Sequence, residues 1–102
     1  MGLIVKLQNE EGVPLDVVED RHNLLYRVLS GIEDAEFQWA STIDFYGDTM
    51  FNYLQAPRLR AEWRRILETC EDPDARQLLM RIDALVERCS SGVHLYVRFY
   101  GD

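Results

Sequence analysis

The chain is short of the residues that most chemistry requires. It has two cysteines and two histidines in 102 residues. No Cys-x-x-Cys, no histidine pair one helical turn apart and no acidic calcium loop closed by Glu is present, so no zinc or calcium framework is spelled out. Nucleotide binding wants a glycine-rich loop before a helix. Gly47-Asp48-Thr49 offers a single glycine and sets a carboxylate where a phosphate would sit. No apolar run approaches the ~20 residues that span a bilayer. Met1 to Leu7 alternates and carries Lys6, which is not the pattern of a cleavable leader. Positive charge is scarce in one half. Residues 1–55 hold three basic and ten acidic side chains, a net of −7, whereas residues 56–102 hold eight of each. A phosphate-binding surface needs the opposite sign, so neither a direct nucleic-acid partner nor a membrane partner is expected.

What is present suffices for one core. The hydrophobic share of 47% over this length fits a single domain, residues 1–102, without low-complexity tracts. Leu3, Val5 and Leu7 alternate with Ile4, Lys6 and Gln8, the pattern of a strand with one apolar face. Asn9-Glu10-Glu11-Gly12 reads as a turn, and Val13 to Val18 as a returning edge strand, since Pro14 donates nothing to a ladder. Asp20 is placed to cap a short helix through Leu29, ended by Ser30-Gly31. An acidic loop follows over 32–37, then a weak third strand over Phe37–Phe45.

Tyr46-Gly47 turns the chain into a helix starting at Asp48 or Thr49, with Met50, Phe51 and Leu54 inward and a break and restart at Pro57. Leu59, Trp63, Ile66, Leu67 and Cys70 recur on one helical face. Asp72 and Pro73 open a last helix whose stripe is Ala75, Leu78, Leu79, Ile82, Leu85, Val86 and Cys89, with Arg76 and Asp83 outside it. Val93, Leu95, Val97 and Phe99 form a closing strand, apolar enough to be central and to lie beside the first. The expected fold class is α+β: a small mixed sheet of three or four strands, in the order ββα-β-ααβ, with helices packed on one face. Cys70 and Cys89 fall on apolar helix faces and read as buried thiols of a reducing cytoplasm rather than a disulfide. The four residues Phe45-Tyr46-Gly47-Asp48 reappear as Phe99-Tyr100-Gly101-Asp102, too short a match to establish a duplication.

Tyr46-Gly47-Asp48-Thr49 with Phe51-Asn52 and Gln55, followed by two amphipathic helices and His94-Leu95-Tyr96-Val97-Arg98-Phe99 with Gly101-Asp102, resembles a group of small uncharacterised bacterial proteins. The resemblance covers residues 40–102 and implies a bacterial, cytosolic protein. It implies no activity, cofactor or site residue.

The remaining constellations are sparse. Neither cysteine has the oriented base that nucleophilic catalysis needs. Asp44 and Asp48 flank a Tyr-Gly turn, where Asp48 as a helix cap and Asp44 as a turn ligand explain both without a metal. The acidic segment has the clearest functional slope: Asp16 and Glu19 on the hairpin, Glu33, Asp34 and Glu36 on the next loop, with Trp39 close by in sequence. Such charge keeps a small protein soluble. Beside aromatic anchors it also suits a basic partner. The favoured reading is a non-enzymatic protein-binding module with no cofactor and no metal. Its sharpest form is a cytoplasmic immunity- or antitoxin-type inhibitor that presents Asp16, Glu19, Glu33, Asp34, Glu36 and Trp39 to a basic toxin. Two alternatives stand beside it. One is a small enzyme or ligand-binding protein using Asp44, Asp48 and His94. The other is a self-associating protein, a homodimer pairing through the edge strand Val13–Val18.

Overall fold

In the computed structural model, which describes residues 2–33 and 35–101, the chain opens with the hairpin. β1 (Ile4–Asn9) and β2 (Pro14–Glu19) run antiparallel, with a register shift between Leu7 and Gln8. The Asn9 side chain accepts the N–H groups of Glu11 and Val13, and Gly12 takes a φ of 84°. One Asx contact and one left-handed glycine therefore close the turn. Asp20 caps the next helix, α1 (Leu24–Leu29), as expected. Its buried carboxylate accepts the backbone N–H groups of His22, Leu24 and Leu25.

The stretch 37–54 departs from the sequence reading. Phe37–Phe45 is not a strand; it holds a short 3-10 turn at Ala40–Thr42. The Trp39 and Ala40 N–H groups, which a strand would offer to a neighbour, go instead to the Glu62 carboxylate. The strand expected there lies further on, as β3 (Asp48–Asn52), where a helix start was expected. Asp48 therefore caps no helix. Exposed Asp48 and Met50 and buried Phe51 obey a period of two as well as a helical one, and the free edge of the last strand selects the former. Pro57 sits in the first turn of α2 (Ala56–Thr69), where its missing N–H costs nothing, so it starts a helix rather than interrupting one. α3 (Pro73–Ser91) follows, with Asp72 accepting the Asp74 N–H, and β4 (Leu95–Tyr100) closes the chain.

The sheet order is β2-β1-β4-β3. The α+β class, the element order and the placing of helices on one face hold, but the sheet is antiparallel throughout rather than mixed, because each strand pairs only with neighbours that run the other way. The closing strand is central and lies beside the first, as its apolar pattern suggested. Val5, Leu7, Val97, Phe99 and Phe51 point into the core against Trp63, Leu79, Ile82 and Val86, all buried. The Trp63 indole N–H donates to the Leu79 carbonyl at 2.9 Å, and its ring lies 6.0 Å from that of Phe99. Both helix stripes are buried as read, apart from Cys70, which is half-buried.

Two polar residues on α3 are less exposed than their register suggested. Asp83 is buried at 6% exposure, held by Arg60 and Arg64 of α2 at 3.2 Å each. The Arg60 guanidinium is in turn pushed above its ordinary pKa, chiefly by its hydrogen bond to Asp83. Arg76 is half-buried and donates to the Leu67 and Cys70 carbonyls, satisfying the open end of α2.

The repeated Phe-Tyr-Gly segments meet in space. The Gly101 N–H donates to the Gly47 carbonyl at 2.7 Å, and a Cβ on Gly101 would stand 2.5 Å from the Phe45 carbonyl carbon. The glycine at 101 is thus required by a close backbone approach. Asp102 lies outside the described residues.

Candidate functional site

The residues first suspected of binding lie apart. Because β1 and β2 are antiparallel, the Glu10-Glu11 turn is at one end of the sheet and the exit from β2 at the other. Glu19 and the turn that leads into β3 share that second end, since Ile4 pairs with both Glu19 and Tyr100 and β3 begins opposite Tyr100. Among the described carboxylates first suspected, Asp16, Glu19 and Glu36 each have a cation of the same chain, and Glu33 does not. Glu19 meets Arg21 at 3.3 Å, Glu36 meets Arg65 at 3.9 Å, and Asp16, halfway along β2, meets Arg88 at 3.0 Å. Glu33 is exposed, and its backbone carbonyl accepts the N–H groups of Glu36 and Phe37. Asp34 lies outside the described residues. Trp39 is half-buried and packs on the core, so much of its ring belongs to the fold.

Asp44, Asp48 and His94 are not brought together. His94 precedes β4 and pairs with Glu10 at 3.3 Å by the hairpin turn. Asp48 lies opposite Tyr100, at the far end of β4. At ~3.3 Å per residue the two are about 20 Å apart. Asp44 does bond the turn, its Oδ1 accepting the Tyr46 N–H at 2.8 Å, as expected for a turn ligand. Among the described residues no three His, Cys, Asp or Glu side chains gather as metal ligands, and no helix is long and apolar enough to cross a membrane. Cys89 is buried, its thiol pushed up to about 11 by desolvation, which makes it a poor nucleophile at neutral pH. Both cysteines are free thiols.

The surface that does stand out runs along β3 and its flanking turns. Tyr46 is 79% exposed, Leu54 65%, Met50 52% and Tyr53 37%. These four large apolar side chains fall within nine consecutive residues, and two exposed carboxylates, Asp44 and Asp48, stand on either side of the first of them, Tyr46. The Asp48 Oδ2 receives Arg98 at 2.5 Å. The local fold dictates this display. Antiparallel pairing with β4 turns Phe51 to the core and leaves Asp48 and Met50 on the solvent face, and the tight Gly47 turn projects Tyr46 outward. Sequence reasoning missed Met50 and Leu54, because a helical period placed them inside.

The open face of the sheet is a second surface, with a different balance. Lys6 and Arg98 both stand against the Tyr100 ring, at 4.8 and 4.6 Å from its centroid, and the Tyr100 hydroxyl meets the Gln8 amide oxygen at 3.1 Å. The ring is therefore occupied by its own chain and is not a free stacking platform for a nucleic-acid base.

The chain matches no family model, no curated protein and no solved structure.

Proposed function

We propose that this domain is a non-enzymatic protein-binding module, in its most concrete form an immunity- or antitoxin-type inhibitor that holds a basic protein against the β3 edge. The observation that carries the reading is the row of exposed Tyr46, Met50, Tyr53 and Leu54, with Asp44 and Asp48 at its N-terminal end. Tyrosine is among the residue types that anchor interfaces, and an exposed apolar row rimmed by charge is the usual appearance of a contact surface. The formal charge of −7 adds long-range steering toward a cationic partner. Glu33, Asp34 and Glu36 keep a part in this reading as sources of that field, while the anchoring role moves from Trp39 to Tyr46 and its neighbours. A cytoplasmic site of action in a bacterial cell belongs to the same proposal.

The test is kinetic. The domain is used to capture a partner from bacterial lysate, and the captured protein is then measured against variants at two salt concentrations. Reversal of Glu33, Asp34 and Glu36 to Lys should slow association and flatten its salt dependence with little effect on melting. Tyr46→Ala with Leu54→Ala should speed dissociation, at a cost of roughly 2 kcal/mol or more. An acidic partner, or one indifferent to both variants, would sink the proposal.

A further inference from the structure

We infer that the partner docks by strand addition, an extended Lys- or Arg-bearing segment lying alongside β3 as a fifth strand; this rests on the binding-module reading and names its mode. The hydrogen-bond register of the sheet decides which backbone groups face outward. The Gly101 N–H bonds the Gly47 carbonyl, so the bonded pairs of the β3–β4 ladder are Gly47 with Gly101, Thr49 with Phe99 and Phe51 with Val97. Alternation then turns the N–H and C=O groups of Asp48 and Met50 away from the sheet, and among the described residues neither residue has a backbone partner there. At Asn52 the slot closes, because Gln55 takes both its N–H, through Oε1 at 2.9 Å, and its carbonyl at 3.1 Å.

The opposite edge is arranged differently. The Asp20 N–H bonds the Leu3 carbonyl, so by the same alternation the outward groups of β2 are those of Leu15, Val17 and Glu19. The Asp16 Oδ1 accepts the Val17 N–H at 2.9 Å while its other oxygen holds Arg88, and Pro14 carries no N–H at all. Edges that must not pair are blunted in this way, by proline and by charge. The β2 edge displays exposed Val13, Leu15 and Val17 but is guarded at Pro14 and Val17, whereas the β3 edge presents free ladder groups flanked by Tyr46 and Leu54. That asymmetry counts against self-association through Val13–Val18 and points to β3 as the pairing edge.

Charge identifies the occupant. A second copy would bring another −7 to the same edge. Asp48 is already held by Arg98, so a strand with cationic side chains meets the Asp44 carboxylate and the exposed face of Tyr46, where a guanidinium gains both a carboxylate and a ring.

The experiment uses the whole domain, isotope-labelled, with short synthetic peptides of alternating arginine and valine, or of alternating glutamate and valine. The arginine peptide should give saturable amide shifts centred on Asp48 and Met50 and slow Met50 amide exchange by about tenfold or more. The glutamate peptide should do neither. Met50→Pro deletes an outward N–H without touching the ladder to β4 and should abolish the saturable shift at Asp48. If that variant fails to fold, the exchange measurement on the parent still decides. Shifts centred on β2 or on the helices, equal binding of both peptides, no binding of either, or protection of Met50 by concentration-dependent dimerisation would each overturn the inference. A captured basic protein that binds Met50→Pro as tightly as the parent would remove strand addition and leave the binding-module reading intact. Loss of any basic partner would remove the reading beneath it.

Discussion

Ile82 and Asp83 are neighbours on α3, both buried, and they should respond very unequally to substitution. Ile82 is 0% exposed within the cluster formed with Leu79 and Val86. Ile82→Asp removes its methyl groups, a loss of about 2–5 kcal/mol when the surroundings cannot collapse. The new carboxyl must also stay neutral in an apolar site. Holding a proton at pH 7 on a group that ordinarily titrates near 3.9 costs about 4 kcal/mol, and burying even the neutral acid costs about 1–3 kcal/mol more. Together these reach about 7–12 kcal/mol, against a total stability of about 5–15 kcal/mol for a domain of this size.

Ile82→Asp should therefore be unfolded at 37 °C. Its deficit relative to the parent should shrink toward pH 4, because a group whose folded pKa lies above its unfolded value loses stability as pH rises between the two. Asp83→Leu should cost only about 1–2 kcal/mol. Arg60 keeps Glu87 at 2.6 Å, and the Arg64 side chain is 59% exposed, so neither cation is stranded. Urea titration followed by indole fluorescence and far-ultraviolet circular dichroism measures all three. A cooperative melt of Ile82→Asp within a few degrees of the parent would refute the placing of this helix face. So would an Asp83→Leu variant as unstable as Ile82→Asp.

Three further outcomes are expected. In native buffer a thiol reagent should label Cys70, which is half-buried, well before Cys89, and a Cys89 as fast as Cys70 would mean the core around it opens readily. The raised thiol pKa of Cys89, about 11 against an unfolded value near 9, adds a term that is intact below pH 9 and lost between pH 9 and 11; Cys89→Ala, followed by alkaline melts, should remove that part of the decline. Gly101→Ala should cost at least about 1–3 kcal/mol, since its methyl meets the Phe45 backbone, and an unchanged melting temperature would show that the two turns are not held so closely.

The legible parts of the fold were those where one period dominates. The α3 stripe from Ala75 to Cys89 and the alternation of Val97 and Phe99 admit a single reading, and both lie where they were expected. Asp20 and Asp72 were legible as caps because a short carboxylate before an apolar run has one common use. The stretch from Phe37 to Leu54 was not legible. Its outcome depends on Glu62, a residue of α2 that captures the Trp39 and Ala40 N–H groups across the fold, and on the edge that β4 offers. Neither partner is near in sequence. The candidate site inherited the same difficulty. Glu36 and Asp16 looked free because the arginines that meet them, Arg65 and Arg88, come from helices whose register against the loop and the hairpin is a tertiary fact. Asp83 stayed hidden for the same reason.

The central place of β4 has a consequence for how the chain reaches its native state. β1 and β3 have no contact in the sheet except through Leu95–Tyr100, so the strand encoded last is the one that joins the other three into a single surface. Until it is laid down, the hairpin is an isolated two-stranded ribbon, marginal in water, and β3 has nothing to pair with. Closure spans nearly the whole length of the chain, a long-range contact that slows folding compared with local helix pairing. In that interval both sides of β3 are unpaired, and its apolar residues are presented to any strand in the vicinity. A polypeptide cut before Leu95 would therefore be an aggregating species rather than a smaller version of the domain.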